Sequence, residues 1–372
     1  MPLTPLETDV FIAGGGPAGL AAAIACRRKN LRVVVADVSR PPIEKACGEG
    51  LLPESVLALR RLGAVIPPGE SFCFGGIRFR GCGVSADASF PNGYGLGVLR
   101  RVLHDALARC AEQLGATLLW GARIDGIEDR GVVMNGSLIE SRWVIGADGS
   151  NSQIRRWSGL DPVTGYARRF GFRKHFYVRP WAERVEVHWG ACGQIYITPV
   201  SPHEICVVLL SRDRHQRIHH ALAEFPDVRE RLAGARADAE RGAVSVSRRL
   251  RHVTRGRVAL VGDASGSVDA ITGEGLSLAF HQAEALALAI EAGDLRIYET
   301  AHRGAFRRPA LMARLLLFMD RFPWIRQRAL HALAARPAIF SNLVAAHVAA
   351  ERPTAELVTS ALIPLGCRIV AG

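Results

Sequence analysis

Gly14, Gly16 and Gly19 stand at the end of an apolar run, residues 9–13, and hold the three positions of a G-x-G-x-x-G pattern. In such a turn the first glycine permits the tight bend, the second lets a pyrophosphate reach the backbone, and the third lets helix and strand pack closely. A helix opening at Pro17 points unpaired N–H groups and the positive end of its dipole at that diphosphate. Asp37 closes the second apolar run, where its carboxylate can accept hydrogen bonds from a ribose diol and repel a 2′-phosphate. A glycine turn that binds nothing is the alternative, and strand, helix and acid in register argue against it. Two later turns, Asp148-Gly149 and Gly262-Asp263, each set a carboxylate beside a glycine. The alternative for Asp148 taken alone is an ordinary turn aspartate, and for Arg100 a solvated helix arginine.

These groups need a framework to hold them. Residues 8–13 and 31–36 read as strands buried on both faces, with a small-residue helix over 17–29 between them. A Pro41-Pro42 loop leads to Cys47-Gly48-Glu49-Gly50 and a short helix near Pro53. Residues 99–114 are helical, with Leu99, Val102, Leu103, Ala106, Leu107 and Cys110 on one face, and strands are expected at 116–120, 131–139 and 142–147. From 167 to 210 the period becomes two: Phe170, Phe172 and Phe176 alternate with Arg169, Arg173 and His175. That predicts an antiparallel sheet with two different faces. The predicted fold class is mixed α/β. A Rossmann-like nucleotide-binding domain is built from residues 1–75, 98–165 and 253–295. Substrate-domain strands lie at 76–97, an antiparallel substrate sheet at 166–252, and a helical C-terminal region at 296–372.

With 372 residues, of which 49% are hydrophobic, the chain has enough apolar surface for a large core in two lobes. The net charge of +12 is almost all arginine, since only Lys29, Lys45 and Lys174 are lysines. The arginines are scattered and form no recognised nucleic-acid module, so no nucleic-acid partner is expected. The eight cysteines show neither a C-x-x-C pair nor zinc spacing, and no metal is expected. His215, His219 and His220 have helical spacing but no companion ligand, and read as a solvated face. Reduced cysteines and the lack of a signal sequence or an ~18-residue apolar span point to the cytoplasm.

On its motifs the chain resembles the flavoprotein superfamily of single-component aromatic hydroxylases (the p-hydroxybenzoate hydroxylase fold) and geranylgeranyl reductases, over essentially everything up to residue 295. The resemblance implies FAD, with NADH or NADPH as transient reductant. Arg100-x-x-Leu103-x-x-x-Leu107 matches the helix whose arginine meets the FAD diphosphate. Asp148-Gly149, with Ser152 and Arg155, matches the fingerprint that supports FAD and the nicotinamide nucleotide. Gly262-Asp263 matches the fingerprint whose aspartate bonds the ribityl or ribose hydroxyls. Gly273 and Gly275 flank Glu274 before a long helix from about Gly275 to Ala292; their N–H groups and the helix dipole suit the negative charge of a reduced flavin.

Departures from the hydroxylases matter. Gly266 and Ala270 stand where histidine and proline are common. Lys45-Ala46-Cys47-Gly48-Glu49-Gly50-Leu51 and Asp269-x-x-Thr272-Gly273-Glu274-Gly275 look closer to the geranylgeranyl reductase branch. The tryptophan box of the halogenases is missing from 194–199. Cys47 and Glu49 are the candidate catalytic residues, in a loop the family places near the flavin; Cys47 either acts on a substrate or packs. His175, His188 and Tyr196 read as structural or solvated positions of the sheet and not as proton carriers. The sequence reading leans to an NAD(P)H-dependent monooxygenase that hydroxylates an aromatic or lipophilic, polyketide-like molecule with molecular oxygen through a peroxyflavin. The alternative is a reductase of C=C bonds in a prenyl or other lipid. The basic, leucine-rich helices after 296 either cap the core or touch an anionic membrane surface.

Overall fold

The computed structural model describes residues 7–161 and 163–348. Strand Glu7–Ala13 is apolar and buried from Val10 to Ala13 because it has neighbours on both sides, pairing in parallel with Val33–Asp37 and with Ser137–Gly146. The sheet runs in the order Thr254–Arg255, Val258–Leu260, Ser137–Gly146, Glu7–Ala13, Val33–Asp37, Thr117–Trp120. Parallel strands need cover. Helices Pro17–Arg27 and Gly275–Glu291 provide it and pack on one another, the alanines of the first allowing close approach.

Residues 131–139, expected as one strand, fold as part of a hairpin. Gly131–Met134 and Ser137–Gly146 are antiparallel partners around Asn135-Gly136, both in the left-handed region at φ 49° and 74°. Asn-Gly between apolar runs is the hairpin signal that reading the run by its hydrophobicity passes over.

The second sheet has the order Arg241–Leu250, Val163–Phe176, Glu204–Ser211, Gln194–Ser201, Val185–Trp189, Gly76–Gly81, Val84–Ser89. Its pairings are antiparallel except that of Val185–Trp189 with Gly76–Gly81, which joins the early hairpin to strands made later in the chain. Gly95–Gly97 is not part of it, but pairs with Gly50–Leu51 and Phe72–Phe74 in a small sheet of its own. The period of two gives the large sheet two buried faces. Phe172, Phe176, Ile195, Ile197, Val207 and Leu209 enter a small core with Ile218, Leu222 and Val228. Arg169, Arg173, His175, Tyr196, Val208 and Leu210 alternate with them and face the nucleotide-binding side.

Helices Leu295–Arg321, Pro323–Ala335 and Pro337–Val348 close the remaining side. The end of the long helix is tied down by Asp320, whose carboxylate meets the buried Arg169 guanidinium at 3.0 Å. Among the described residues no single helix is long and apolar enough to cross a membrane. The long helix is amphipathic: Met312, Leu315, Leu316 and Met319 turn inward, while Arg307, Leu311, Arg314, Phe318 and Arg321 follow one another along its exposed face.

Candidate functional site

A cavity of about 1230 Å³ runs between the two sheets, above the roughly 300–1,000 Å³ usual for a small-molecule pocket. The glycine turn opens onto it, and the glycines there do different work. A side chain at Gly14 would lie 2.4 Å from the Ala147 carbonyl oxygen, at a φ of +110°, and one at Gly19 would lie 1.9 Å from the Gly14 oxygen. Those two glycines serve the packing. At Gly16, Gly48, Gly149, Gly273 and Gly275 a Cβ would meet no protein atom within 4 Å, and all five line the cavity. Bare backbone is thus presented along the cavity from the first turn to the last, as a long ligand touching peptide groups requires.

The acids are placed around the same cavity. Asp37 holds the turn itself: Oδ2 accepts from Gly15 N–H at 2.7 Å and Oδ1 from Ser39 N–H at 2.7 Å, which leaves further lone pairs for a ribose. Asp148 Oδ2 caps the Gln153 and Ile154 N–H groups, while its buried Oδ1 has no partner. Arg100 stands at the start of helix Arg100–Gln113, lines the cavity, and its buried Nε is also unpartnered. Asp263 faces the cavity and is paired with Lys45 at 2.8 Å, both partly exposed. An unpartnered guanidinium nitrogen, an unpartnered carboxylate oxygen, and glycines whose missing side chains leave a continuous cradle fit a dinucleotide. Arg155, grouped with Asp148 in sequence, does not face the cavity's ligand space. It is a buried strut that donates to Asp161, Ala264 O and Ser150 O at 3.0–3.1 Å.

Just before Gly273 the loop is fixed from two sides. Tyr196 Oη donates to Ile271 O at 2.8 Å, and Asp269 Oδ1 accepts from Ile271 N–H. Burial pushes the Asp269 carboxyl upward, against the pull of Arg169. Glu274 turns away from its two glycines into the C-terminal helices, where Arg308 and His347 each stand 3.5 Å from its carboxylate. Burial likewise raises the Glu274 pKa. No feature of the sequence marked Arg308 or His347 as its partners.

Cys47 and Glu49 both line the cavity, in different states. Cys47 Sγ receives the Glu49 N–H at 3.5 Å, which shapes the turn but brings the thiol no base. Glu49 is buried at the left-handed φ of 56°; Oε1 accepts from Arg100 N–H at 3.0 Å, and Oε2 lies 2.6 Å from His175 Nε2. His175 Nδ1 in turn meets Asp238 Oδ2 at 3.0 Å. The histidine read as structural or solvated is therefore buried between two carboxylates. His188 faces the opposite side of the sheet, against Glu186 and Phe225, away from this cavity. Burial alone would raise Glu186; hydrogen bonds from His188 and Trp181 outweigh it and hold its pKa at about 2. Glu49, His175 and Cys206 converge within 4.8 Å, but the Arg173 guanidinium lies against the imidazole and burial keeps the Cys206 thiol well above its usual range. Such a set favours hydrogen bonding over cation binding. His215, His219 and His220 are exposed.

The family described as FAD binding domain matches residues 7–293. A menaquinone reductase of Mycobacterium tuberculosis is 28% identical, covering 91% of this chain and 92% of its own. A digeranylgeranylglycerophospholipid reductase of Methanococcoides burtonii is 25% identical over 81% of this chain and 80% of its own. A 6-methylpretetramide 4-monooxygenase of Streptomyces rimosus is 30% identical over 43% of this chain and 42% of its own.

Proposed function

The chain belongs to the FAD binding domain family, and from that premise we propose that this FAD-dependent oxidoreductase saturates carbon–carbon double bonds in the polyprenyl tail of a membrane lipid, with NADH or NADPH as electron donor. The carrying observation is that the cavity does not end at the cofactor site. It continues between the inner face of the second sheet and the C-terminal helices, walled by Ile77, Phe79, Val185, Trp189, Leu315 and Phe340. Such walls reward a hydrocarbon chain with about 25 cal/mol per Å² buried and offer it few hydrogen bonds. Similarity along almost the whole chain to reductases named for a prenylated quinone and a geranylgeranyl lipid supports the same reading.

FAD supplies the two-electron chemistry. The protein's part is to hold the diphosphate at Gly16 and Arg100, the sugar hydroxyls at Asp37 and Asp263, and the ring edge at Gly273–Gly275, and to keep water from the apolar chamber. The substrate reaches the chamber from a bilayer. Arg307, Arg314 and Arg321, interleaved with Leu311 and Phe318, lie on the outer face of the helix whose inner face lines the chamber. That stripe suits the anionic surface of a membrane reached from the cytoplasm, each cation contributing about 1 kcal/mol near the surface.

The test uses FAD-loaded enzyme, NADH or NADPH, and phosphatidylglycerol vesicles carrying menaquinone with an unsaturated tail. The expected product has gained two hydrogens per reduced tail bond, without oxygen uptake. The second reading, hydroxylation of an aromatic or polyketide-like molecule with molecular oxygen, is favoured by the monooxygenase similarity. Labelled oxygen from O₂ appearing in a product would select it and sink the first. For the cofactor site, Asp263→Ala is expected to weaken FAD binding by about 10- to 100-fold, the loss of one carboxylate–hydroxyl pair of about 1.5–3 kcal/mol. Asp263 and Lys45 are both partly exposed, so the melting temperature without FAD should hold. Titration of the apoprotein with FAD by fluorescence quenching measures the first effect.

A further inference from the structure

Saturating a double bond takes a hydride to one carbon, which reduced FAD provides with its electron pair, and a proton to the other, which an acid must provide. We infer that Asp238, His175 and Glu49 form a proton relay from solvent to the cavity wall, with Glu49 as the last member. The inference rests on the proposed reduction for where the proton ends.

The three groups are joined without a gap. Glu49 is 3% exposed and borders the cavity. Its Oε1 is held by Arg100 N–H, so Oε2, 2.6 Å from His175 Nε2, is the oxygen left to exchange a proton. On the other side of the ring, Asp238 Oδ2 is 3.0 Å from Nδ1 and Oδ1 is fixed by the His175 N–H at 2.7 Å. The Asp238 side chain is 26% exposed and meets water. Both ring nitrogens face carboxylate oxygens, which a doubly protonated ring satisfies, and the Arg173 guanidinium, which lies against the same ring, donates to Asp238 Oδ2 at 3.0 Å.

The surrounding charges agree. His175 is faced by Glu49 from the loop, Asp238 from the segment after the small helices, Glu204 at 3.8 Å from the adjacent strand, and Arg173 from its own strand. Glu44 lies 3.7 Å from Arg173 and is paired at 2.8 Å with Arg241, while Arg101 acts on Glu204. Cys206 beside Glu49 stays a neutral thiol, and burial raises the Glu204 carboxyl. Glu49 and Asp238 against Arg173 leave one negative charge over, which an imidazolium cancels. Burial pushes the His175 pKa down, but the hydrogen bond and charge of Glu49 outweigh it and the net shift is upward.

In the transfer, the imidazolium passes its Nε2 proton to Glu49 Oε2 and Glu49 delivers it to the substrate carbon, which leaves the ring neutral and Glu49 a carboxylate again. The neutral ring regains its second proton from water by way of Asp238, whose side chain is open to solvent. His175 and Asp238 thus act through Glu49 as positioning residues.

Two measurements on the full, FAD-loaded chain test the relay. Nitrogen-15 NMR of the histidines should find His175 doubly protonated at pH about 7.5, one unit above the ordinary histidine pKa. A neutral ring there overturns the relay whatever the substrate. With the menaquinone vesicles, Asp238→Asn should load FAD and accept electrons from the nicotinamide as wild type does. Its tail-saturating step should slow by on the order of 10- to 100-fold, with a larger solvent deuterium effect. An unchanged rate and isotope effect overturn the relay. Should wild-type enzyme leave the tail unsaturated, the proposed function falls and the histidine titration alone decides the relay.

Discussion

Gly16→Val should give a protein that folds and stays colourless. Gly16 has φ −71° and ψ 176°, an extended conformation that a β-branched residue adopts without strain. Its missing Cβ points at no protein atom within 4 Å, so the valine meets open cavity and the core is untouched. What the valine displaces is the diphosphate, which must lie against this backbone to reach the N–H groups at the start of Pro17–Arg27. Losing two charge-assisted hydrogen bonds costs about 3 kcal/mol or more, so FAD affinity should drop by roughly 100-fold or beyond. Flavin absorbance after reconstitution and a melting curve without FAD measure the two halves of the claim. Full loading at wild-type affinity would contradict the placement of the diphosphate. Gly19 makes the contrast, because a side chain there runs into the Gly14 carbonyl and damages the turn before any ligand arrives.

That contrast also shows what sequence spacing can and cannot say. The three glycines were readable as a set because a nucleotide-binding turn imposes short-range rules, each acting within a few residues of the next. Their division of labour was not readable, since Gly14 is crowded by Ala147, a residue brought over by the neighbouring strand. The same limit applies to the second sheet. Alternation of Phe172 with Arg173 correctly announced two faces, but period two cannot say that both are buried. Arg169 and Arg173 are buried despite their charge, because Asp320 and Asp238 arrive from distant segments to pair with them. Glu49 was marked by its motif and His175 by its position in a strand. Only the fold puts them 2.6 Å apart.

Replacing one oxygen of that pair should separate binding from chemistry. In Glu49→Gln the side chain keeps its length and its tolerance of φ 56°, and its amide oxygen can still accept from Arg100 N–H, so FAD should load normally. The amide nitrogen then faces His175 Nε2 and can neither take nor pass a proton. Saturation of the lipid tail should fall by about 10²- to 10⁴-fold, the usual worth of a positioned acid, while reduction of the bound FAD by NAD(P)H continues. A pH profile adds a second signature. The upward-shifted His175 contributes stability that is fully present below the ordinary histidine pKa and is lost as pH rises through its higher folded value. Wild-type melting temperature should therefore decline across the window above about pH 6.5, and Glu49→Gln, which removes the principal cause of the shift, should flatten that decline. Stopped-flow oxidation of the reduced enzyme by vesicle-borne menaquinone, paired with melting curves at several pH values, reads both effects. A variant that saturates the tail at the wild-type rate would strip Glu49 of its place at the end of the relay.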